Sequence, residues 1–297
     1  MELRVLQYYL TVVEEGNISR AAEKLHVSQP TISRQLHDLE TELDTTLFTR
    51  GQRKIVLTPA GEYFADQATR IVALADKTVA NIHQEQDTRG SITIGCAEVP
   101  MLSTIAMATK YLATRAPHVQ VNVYSTDADD ARERMQAGLF DFSVVMEPMD
   151  KSDYHFIHLP GATKWGVMLR RDNPLAAKSA LTATDLLPER LIMTQQHTSR
   201  SWVRDWFGNQ ADQLNVVASY NLSYNASLLA AAGVGSVVCI DGIINTTDQP
   251  ITFVPLTPTL TAKASFVWPK GTRLSPAADV FLKALRNVLT EADTDAG

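Results

Sequence analysis

Apolar residues near the start of the chain recur at helical spacing and are punctuated at fixed places, which leaves few folds open to it. Leu3, Leu6, Leu10 and Val13 lie on one helix face. Gly16 ends that helix, because glycine tolerates the positive φ of a helix terminus. Ser19 is expected to cap a second helix, whose small residues Ala21 and Ala22, with Leu25, let a neighbour approach closely. His26 and Val27 form a turn and Ser28 caps a third helix, with Gln29 and Pro30 in its first turn, where a missing N–H costs nothing. Ile32, Leu36, Leu39 and Leu43 form the core face of that helix, and Gln29, Thr31, Ser33, Arg34 and His37 the opposite one. Leu47-Phe48 and Ile55-Val56-Leu57 read as two short strands around a turn at 51–54.

Two short helices joined by a tight turn, the second showing short polar side chains at its start, describe a helix-turn-helix followed by a wing. Side chains that enter a DNA major groove must be short enough to fit and must carry donors and acceptors for base edges. Ser28, Gln29, Pro30, Thr31, Ser33, Arg34 and Gln35 form the candidate reading segment. Arg50, Arg53 and Lys54 on the wing are placed to meet phosphates or a minor groove. Charge alone does not make this case. The chain of 297 residues has a net charge of -6, and residues 1–57 hold seven basic and eight acidic side chains, so pattern and placement carry the argument. The length fits about two domains, and 45% apolar with 20% charged residues is ordinary for a soluble globular protein. Two cysteines cannot build a disulfide framework and fit a reducing, cytoplasmic setting. No run of about 18 apolar residues predicts a membrane span. The apolar start, broken by Glu14 and Glu15, does not read as a signal peptide.

Thr58 and Pro59 open a long helix. Phe64, Ala68, Ile71, Ala75, Thr78 and Ile82 step through it as a heptad-like seam to about residue 88. About thirty helical residues span ~45 Å. The length and the polar opposite face favour an exposed helix that pairs with a second copy, against the alternative of an ordinary core helix. From residue 91, strands at 92–95, 119–123 and 142–146 alternate with helices at 102–114 and 131–137. The pattern restarts near Gly161, with strands at 164–169, 191–193 and 237–240, helical segments at 181–187, 201–207 and 228–232, and a final helix over 277–289. Alternation of this kind implies an α/β domain with a largely parallel sheet.

The string AAEKLHVSQPTISRQLHDLETELDTTLFTRGQRKIVLTPAG resembles the N-terminal signature of LysR-type transcriptional regulators. The resemblance rests on Ala21-Ala22, Leu25, Ser28-Gln29-Pro30, Ser33, Leu39-Glu40, Leu43, Leu47-Phe48, Arg50, Leu57-Thr58 and Gly61. Asp44 departs from it, standing where the family usually has glycine, and so does Asn17-Ile18, where Ser-Phe is common. Later matches are 90–95, Gly138-Leu139-Phe140-Asp141, Asp172-Asn173-Pro174-Leu175 and Ala231-Ala232-Gly233-Val234-Gly235. Asn173 and Ile240-Asp241 depart from the usual residues there. The resemblance implies a winged helix-turn-helix over 1–58 and a linker and dimerisation helix over 59–88. It then implies two Rossmann-like α/β subdomains similar to type 2 periplasmic binding proteins, the first over 89–161 and 267–297 and the second over 162–266. It implies a bacterial, cytoplasmic regulator that binds double-stranded promoter DNA as a dimer or tetramer. It also implies a small-molecule effector in the cleft between lobes, with no cofactor and no catalysis.

The resemblance places that cleft at Ala97, Glu98, Val99, Pro100, Met101 and Ser103, facing Gln195, Gln196, Thr198 and Ser199. Helix N-termini there are expected to offer free N–H groups, which favour anions. Where many relatives carry Ser or Thr, this chain has Val99, Pro100 and Met101, and Glu98 adds negative charge. Neutral amides and hydroxyls with apolar walls suit an uncharged or amine-bearing ligand better than a dicarboxylate. Glu98 has a second reading, as a helix cap without a ligand role. No HExxH, CxxC, GxSxG or P-loop string occurs. His155 and His158 read as surface polar residues rather than metal ligands, and Gly233-Val234-Gly235 as a tight turn. Cys96 and Cys239 read as inert buried thiols, with redox sensing as the alternative. The competing reading of the whole chain is an enzyme or ligand carrier on a two-lobed fold with a non-functional N-terminal domain.

Overall fold

The computed structural model describes residues 1–50, 55–82, 89–195 and 197–295. The chain forms two compact units, Met1–His83 and Gln84–Gly297. In the first, helices α1 (Leu3–Glu15), α2 (Ile18–Lys24) and α3 (Gln29–Glu42) are followed by strands β1 (Phe48–Arg50) and β2 (Ile55–Leu57) and by helix α4 (Pro59–Ile82). Gly16 ends α1 with φ 59° and donates its N–H to Val12. The cap of α2 is Asn17, not Ser19: its side-chain oxygen accepts from the N–H groups of both Ser19 and Arg20. Extended backbone at Asn17, with φ -158°, aims the amide oxygen at those donors. Asp44, in the place of the family's glycine, holds φ 47°, a conformation aspartate adopts more readily than most residues. The wing strands pair antiparallel, Phe48 with Leu57 and Arg50 with Ile55.

One buried cluster unites the first unit. Tyr9, Val12, Ala21, Ile32, Leu36, Leu39 and Leu47 are buried in it. Each of the larger aliphatic side chains contributes roughly 1.5–3 kcal/mol by leaving water. The Tyr9 hydroxyl donates to the Gly61 carbonyl at 2.8 Å, and burial, then the Glu40 charge, pushes its pKa up. Glu40 accepts from the N–H groups of Leu47 and Phe48 at 2.7 and 3.2 Å, which pins the start of the wing to the end of α3. Thr58 donates to the Thr46 carbonyl and accepts from the Gly61 N–H, fixing the entry to α4.

In the second unit β3 (Gly90–Cys96), α5 (Leu102–Arg115), β4 (Val119–Ser125), α6 (Ala128–Gln136), β5 (Phe142–Glu147) and β6 (Tyr154–His158) build a first lobe. Next come β7 (Thr163–Arg170), α7 (Ala183–Leu186), β8 (Arg190–Thr194), α8 (His197–Phe207), β9 (Asn215–Tyr220), α9 (Ser223–Ala231), β10 (Ser236–Ile240) and β11 (Ile251–Pro255), which build a second. Strand β12 (Thr261–Pro269) and helix α10 (Pro276–Asp295) return to the first. The parallel ladder β4-β3-β5 and the parallel ladder β10-β8-β9 are the two alternating α/β patterns of the sequence. Antiparallel β12 joins them, pairing Thr261 and Ala262 with β7, and then 263–267 with β5. The chain therefore re-enters the first lobe at Lys263, earlier than the boundary at 267 drawn from the sequence. Strands β6, β9, β11 and β12 had no counterpart among the predicted strands, and Phe142, Phe266 and Phe281 pack at the centre of the first lobe.

Gly61 leaves no room for a side chain: a Cβ there would lie 2.1 Å from the Leu47 carbonyl oxygen. Gly61→Ala is expected to cost ~1–3 kcal/mol of stability, read as a lower denaturant midpoint for the first unit. Unchanged unfolding would show that the strand-to-helix junction yields without cost.

Candidate functional site

Helix α3 divides cleanly between its faces. Ile32, Leu36 and Leu39 are buried, whereas Gln29, Pro30, Thr31 and Arg34 are exposed and Ser33 and Gln35 half-buried. Exposed Ser28 caps the helix, accepting from the Thr31 N–H at 3.3 Å, and its hydroxyl lies 2.7 Å from that of Thr31. Ser28 and Thr31 thus also orient one another. Arg34 is 84% exposed and only 4.0 Å from Asp38, a contact too loose and wet to hold the guanidinium. The first turn of α3 is a polar, donor-rich surface backed by a rigid core. Arg53 and Lys54, and the side chain of Arg50, lie outside the described residues.

The seam assigned to α4 splits in two. Phe64 sets its ring edge-on to Tyr9 at 5.0 Å and Ala68 is fully buried, so both serve the core of the first unit. Ile71, Leu74 and Val79 are 43, 41 and 57% exposed, and Ala75 is half-buried. Leu74 and Val79 belong to this apolar stretch although the heptad count passed over them. The side chain of Ile82 lies outside the described residues.

In the second unit the segment after β3 runs into the space between lobes, but its side chains divide. Val99 and Met101 are buried in the hydrophobic core and are not among the lining residues of the two interlobe cavities described below. Ser103 is exposed and lines neither interlobe cavity. The expected free N–H groups at the start of α5 are taken: Leu102, Ser103 and Thr104 donate to the carbonyls of Val99, Pro100 and Met101. The open helix start in the cleft belongs to α9, whose N-cap Leu222 has no capping side chain. Glu98 fills that role from the opposite lobe, accepting from the Ser223 N–H at 2.9 Å. Gln195 is exposed and its amide donates to the Ser219 hydroxyl at 3.0 Å. Gln196 and the side chains of Thr198 and Ser199 lie outside the described residues.

Two neighbouring cavities share Ala97 and Met146. One, of about 40 Å³, is lined also by Glu98, Thr126, Trp165, Thr194, Tyr220, Asn221, Leu222, Ser223, Ile240 and Ile243. The other, of about 110 Å³, adds Arg132, Val144, Val145, Pro148, Met149, Asp150 and Trp202. Sequence reasoning missed Trp165, Trp202 and the turn before α9, since nothing local marks a strand tryptophan as cleft-lining. The Trp165 indole Nε1–H is buried without a partner in the structure. An unpaired buried donor of this kind costs about 1–3 kcal/mol. Tyr220 donates to the Val238 carbonyl at 2.8 Å, and burial, then Cys239 and Glu98, raises its pKa. Burial pushes the thiols of Cys96 and Cys239 up to about 12, which keeps both protonated and unreactive.

A Ser-His-Glu cluster lies elsewhere in the first lobe. Glu147 accepts from Lys151 and His158 at 2.7 Å each, and from Ser265. The same His158 nitrogen, Nδ1, faces both Glu147 and Ser265, so no proton relay runs through the ring. Ser265 is also fully buried. Among the described residues no group of three His, Cys, Asp or Glu side chains is placed to hold a metal, and no helix is long and apolar enough to cross a membrane.

Residues 3–62 match the profile of the bacterial regulatory helix-turn-helix proteins of the lysR family, and residues 85–290 that of the LysR substrate binding domain. The chain belongs to the LysR family. It is a DNA-binding transcriptional regulator carrying an effector-binding domain. It is 28% identical to the Hca operon transcriptional activator HcaR of Escherichia coli (strain K12) over 97% of this chain and 98% of that one. The LysR regulator CbnR has the same fold at a TM-score of 0.75 and 21% identity, over 97% of this chain and 99% of that one. A second CbnR structure, in complex with its target DNA, matches at a TM-score of 0.74.

The Glu147 cluster makes a statement about pH. Burial alone would raise this carboxyl, but hydrogen bonds from Lys151, Ser265 and His158 hold it at about 2, against an ordinary 4.5. Its contribution to stability is complete above about 4.5 and is lost as pH falls towards 2. Glu147→Gln is expected to flatten that part of the stability–pH curve of the second unit; an unchanged slope in denaturation below pH 5 would contradict the assignment.

Proposed function

We propose that this regulator reads promoter DNA with the first turn of α3, in a working unit of two heads, and couples that to a small molecule held between the lobes. The observation that carries the reading is the exposed, mutually oriented Ser28 and Thr31 beside a loosely held Arg34, all backed by buried Ile32 and Leu36. Gln29, Thr31, Ser33 and Arg34 contact base edges, with Arg34 suited to a bidentate bond with guanine. Ser28, Pro30 and Gln35 fix the helix on the duplex, and Arg50, Arg53 and Lys54 hold the wing on the backbone. The reading head spans residues 1–58 and the dimerisation linker 59–88, its helix being α4. Exposed Ile71, Leu74 and Val79 support pairing of that helix with a second copy, and dimers associate further into tetramers. Promoter binding places the protein in the bacterial cytoplasm, and its output is regulation rather than catalysis.

The effector seat is the cavity pair beside Ala97, Glu98 and Pro100, opposite Gln195, Thr198 and Ser199. Among the described residues Glu98 is the one charged side chain lining the smaller cavity, which supports an uncharged or amine-bearing ligand over a dicarboxylate.

Arg34→Ala is expected to weaken operator binding by ~1–3 kcal/mol at matched salt, in a gel-shift with the protein's own upstream DNA, while Lys54→Ala weakens all sequences alike and flattens the salt dependence. Full operator affinity in Arg34→Ala would remove that residue from base reading. Ile71→Glu buries an unpaired carboxylate in the helix pair and is expected to yield monomeric heads without an operator footprint and with the second unit folded. A native sedimentation profile for that variant would rule out the α4 interface.

A further inference from the structure

Two independent observations converge on the smaller interlobe cavity. The N-terminus of α9, a nine-residue helix, opens into it, and the Ser223 N–H there is held by the Glu98 carboxylate from the other lobe. Trp165, 3% exposed, lines the same cavity with an indole N–H that has no partner. A buried donor left open in a polar cavity marks a place for an acceptor from a ligand. Of these two donor groups, the helix N-terminus is the natural anion seat, because its N–H groups and dipole favour negative charge. Glu98 already supplies that negative charge from within the chain.

We propose that Glu98 is the residue that sets effector charge: it occupies the anion seat at the start of α9, excludes carboxylates from the cavity, and leaves Trp165 Nε1–H to bind an uncharged oxygen acceptor, an amide or alcohol. This rests on the reading of the interlobe cavity as the effector seat. A carboxylate entering beside Glu98 meets a like charge at close range in a partly buried space, and among the described residues that line this cavity none is basic. An amide of the same shape brings the acceptor without the charge. The Glu98–Ser223 bond also ties the two lobes together, so an anion that displaced it would break an interlobe contact.

Acetate and acetamide differ in charge and hardly in shape, which makes them suitable probes. The protein, labelled with nitrogen-15, contains four tryptophans, and Trp165→Phe assigns the Trp165 indole resonance. In the native protein acetamide is expected to shift that resonance, while acetate at the same concentration leaves it in place. In Glu98→Ser, acetate is expected to shift it with an apparent Kd at least tenfold lower than in the native protein. Glu98→Gln keeps an acceptor for the Ser223 N–H without charge and serves if the serine variant does not fold; it is expected to change acetate binding in the same direction. Acetate shifting the native resonance as acetamide does would overturn the role of Glu98 and leave the cavity as a ligand seat. No gain for acetate in either variant would overturn it as well. A Trp165 resonance silent to both probes in every protein would overturn the seat itself.

Discussion

Strand β12 is a single continuous segment shared by both halves of the second unit, and the arrangement of the cleft depends on it. Thr261 and Ala262 pair with β7 of the second lobe, and the next five residues pair with β5 of the first. Pairing on both sides of so short a stretch fixes the lobes at their base through backbone hydrogen bonds, which are insensitive to side-chain identity. The second crossing, from β6 to β7, runs beside it. The ends of β3 and β5 in one lobe and the start of α9 in the other are thereby brought to either side of one small space. Phe266, on β12 itself, packs with Phe142 and Phe281, so the strand is anchored in the aromatic core of the first lobe.

The DNA-reading head is built on a different balance. Its net charge is slightly negative, so long-range attraction to phosphate is weak across the head as a whole. Selectivity then rests on where individual groups are held. Glu40 illustrates the economy: one carboxylate at the end of α3 accepts from two backbone N–H groups and sets the wing against the reading helix. Tyr9 does the same for α1 and α4 through Gly61. Both bonds are partly or fully buried, where a lost partner leaves an unsatisfied group. The matched family positions Leu39-Glu40 and Gly61 therefore have structural duties.

The cleft turns on where helix termini find their acceptors. Helix α5, which the sequence offers as the anion site, satisfies its first N–H groups through the turn at 99–101. Helix α9 lacks a capping side chain of its own and takes one from a residue 125 positions away. The carboxylate that looks like an obstacle in the sequence is, in the structure, the cap of a helix on the other lobe. Capping and ligand selection are then one property of Glu98, since the group that completes the helix also sets the charge of the space around it.

The sequence by itself determined the head, the helix after it and the two alternating α/β patterns, because these follow from local periodicity and from capping residues within a few positions. Gly16, Ser28 and Thr58 show this, each acting on its own turn; Asn17 shows the margin, where two polar residues, Asn17 and Ser19, compete and backbone geometry selects one. Family likeness reached further and assigned the function. Tertiary structure alone decided three things. It assigned Phe64 and Ala68 to the core of the first unit and left Ile71, Leu74 and Val79 exposed, since one helix serves two purposes along a single stripe. It threaded β12 through both lobes, which strand patterns cannot reveal, because pairing partners lie a hundred residues apart. It placed Glu98 on α9 and Trp165 beside it, because a cleft is made by segments distant in sequence, and the acceptor of a buried N–H is known only when the chain has closed around it.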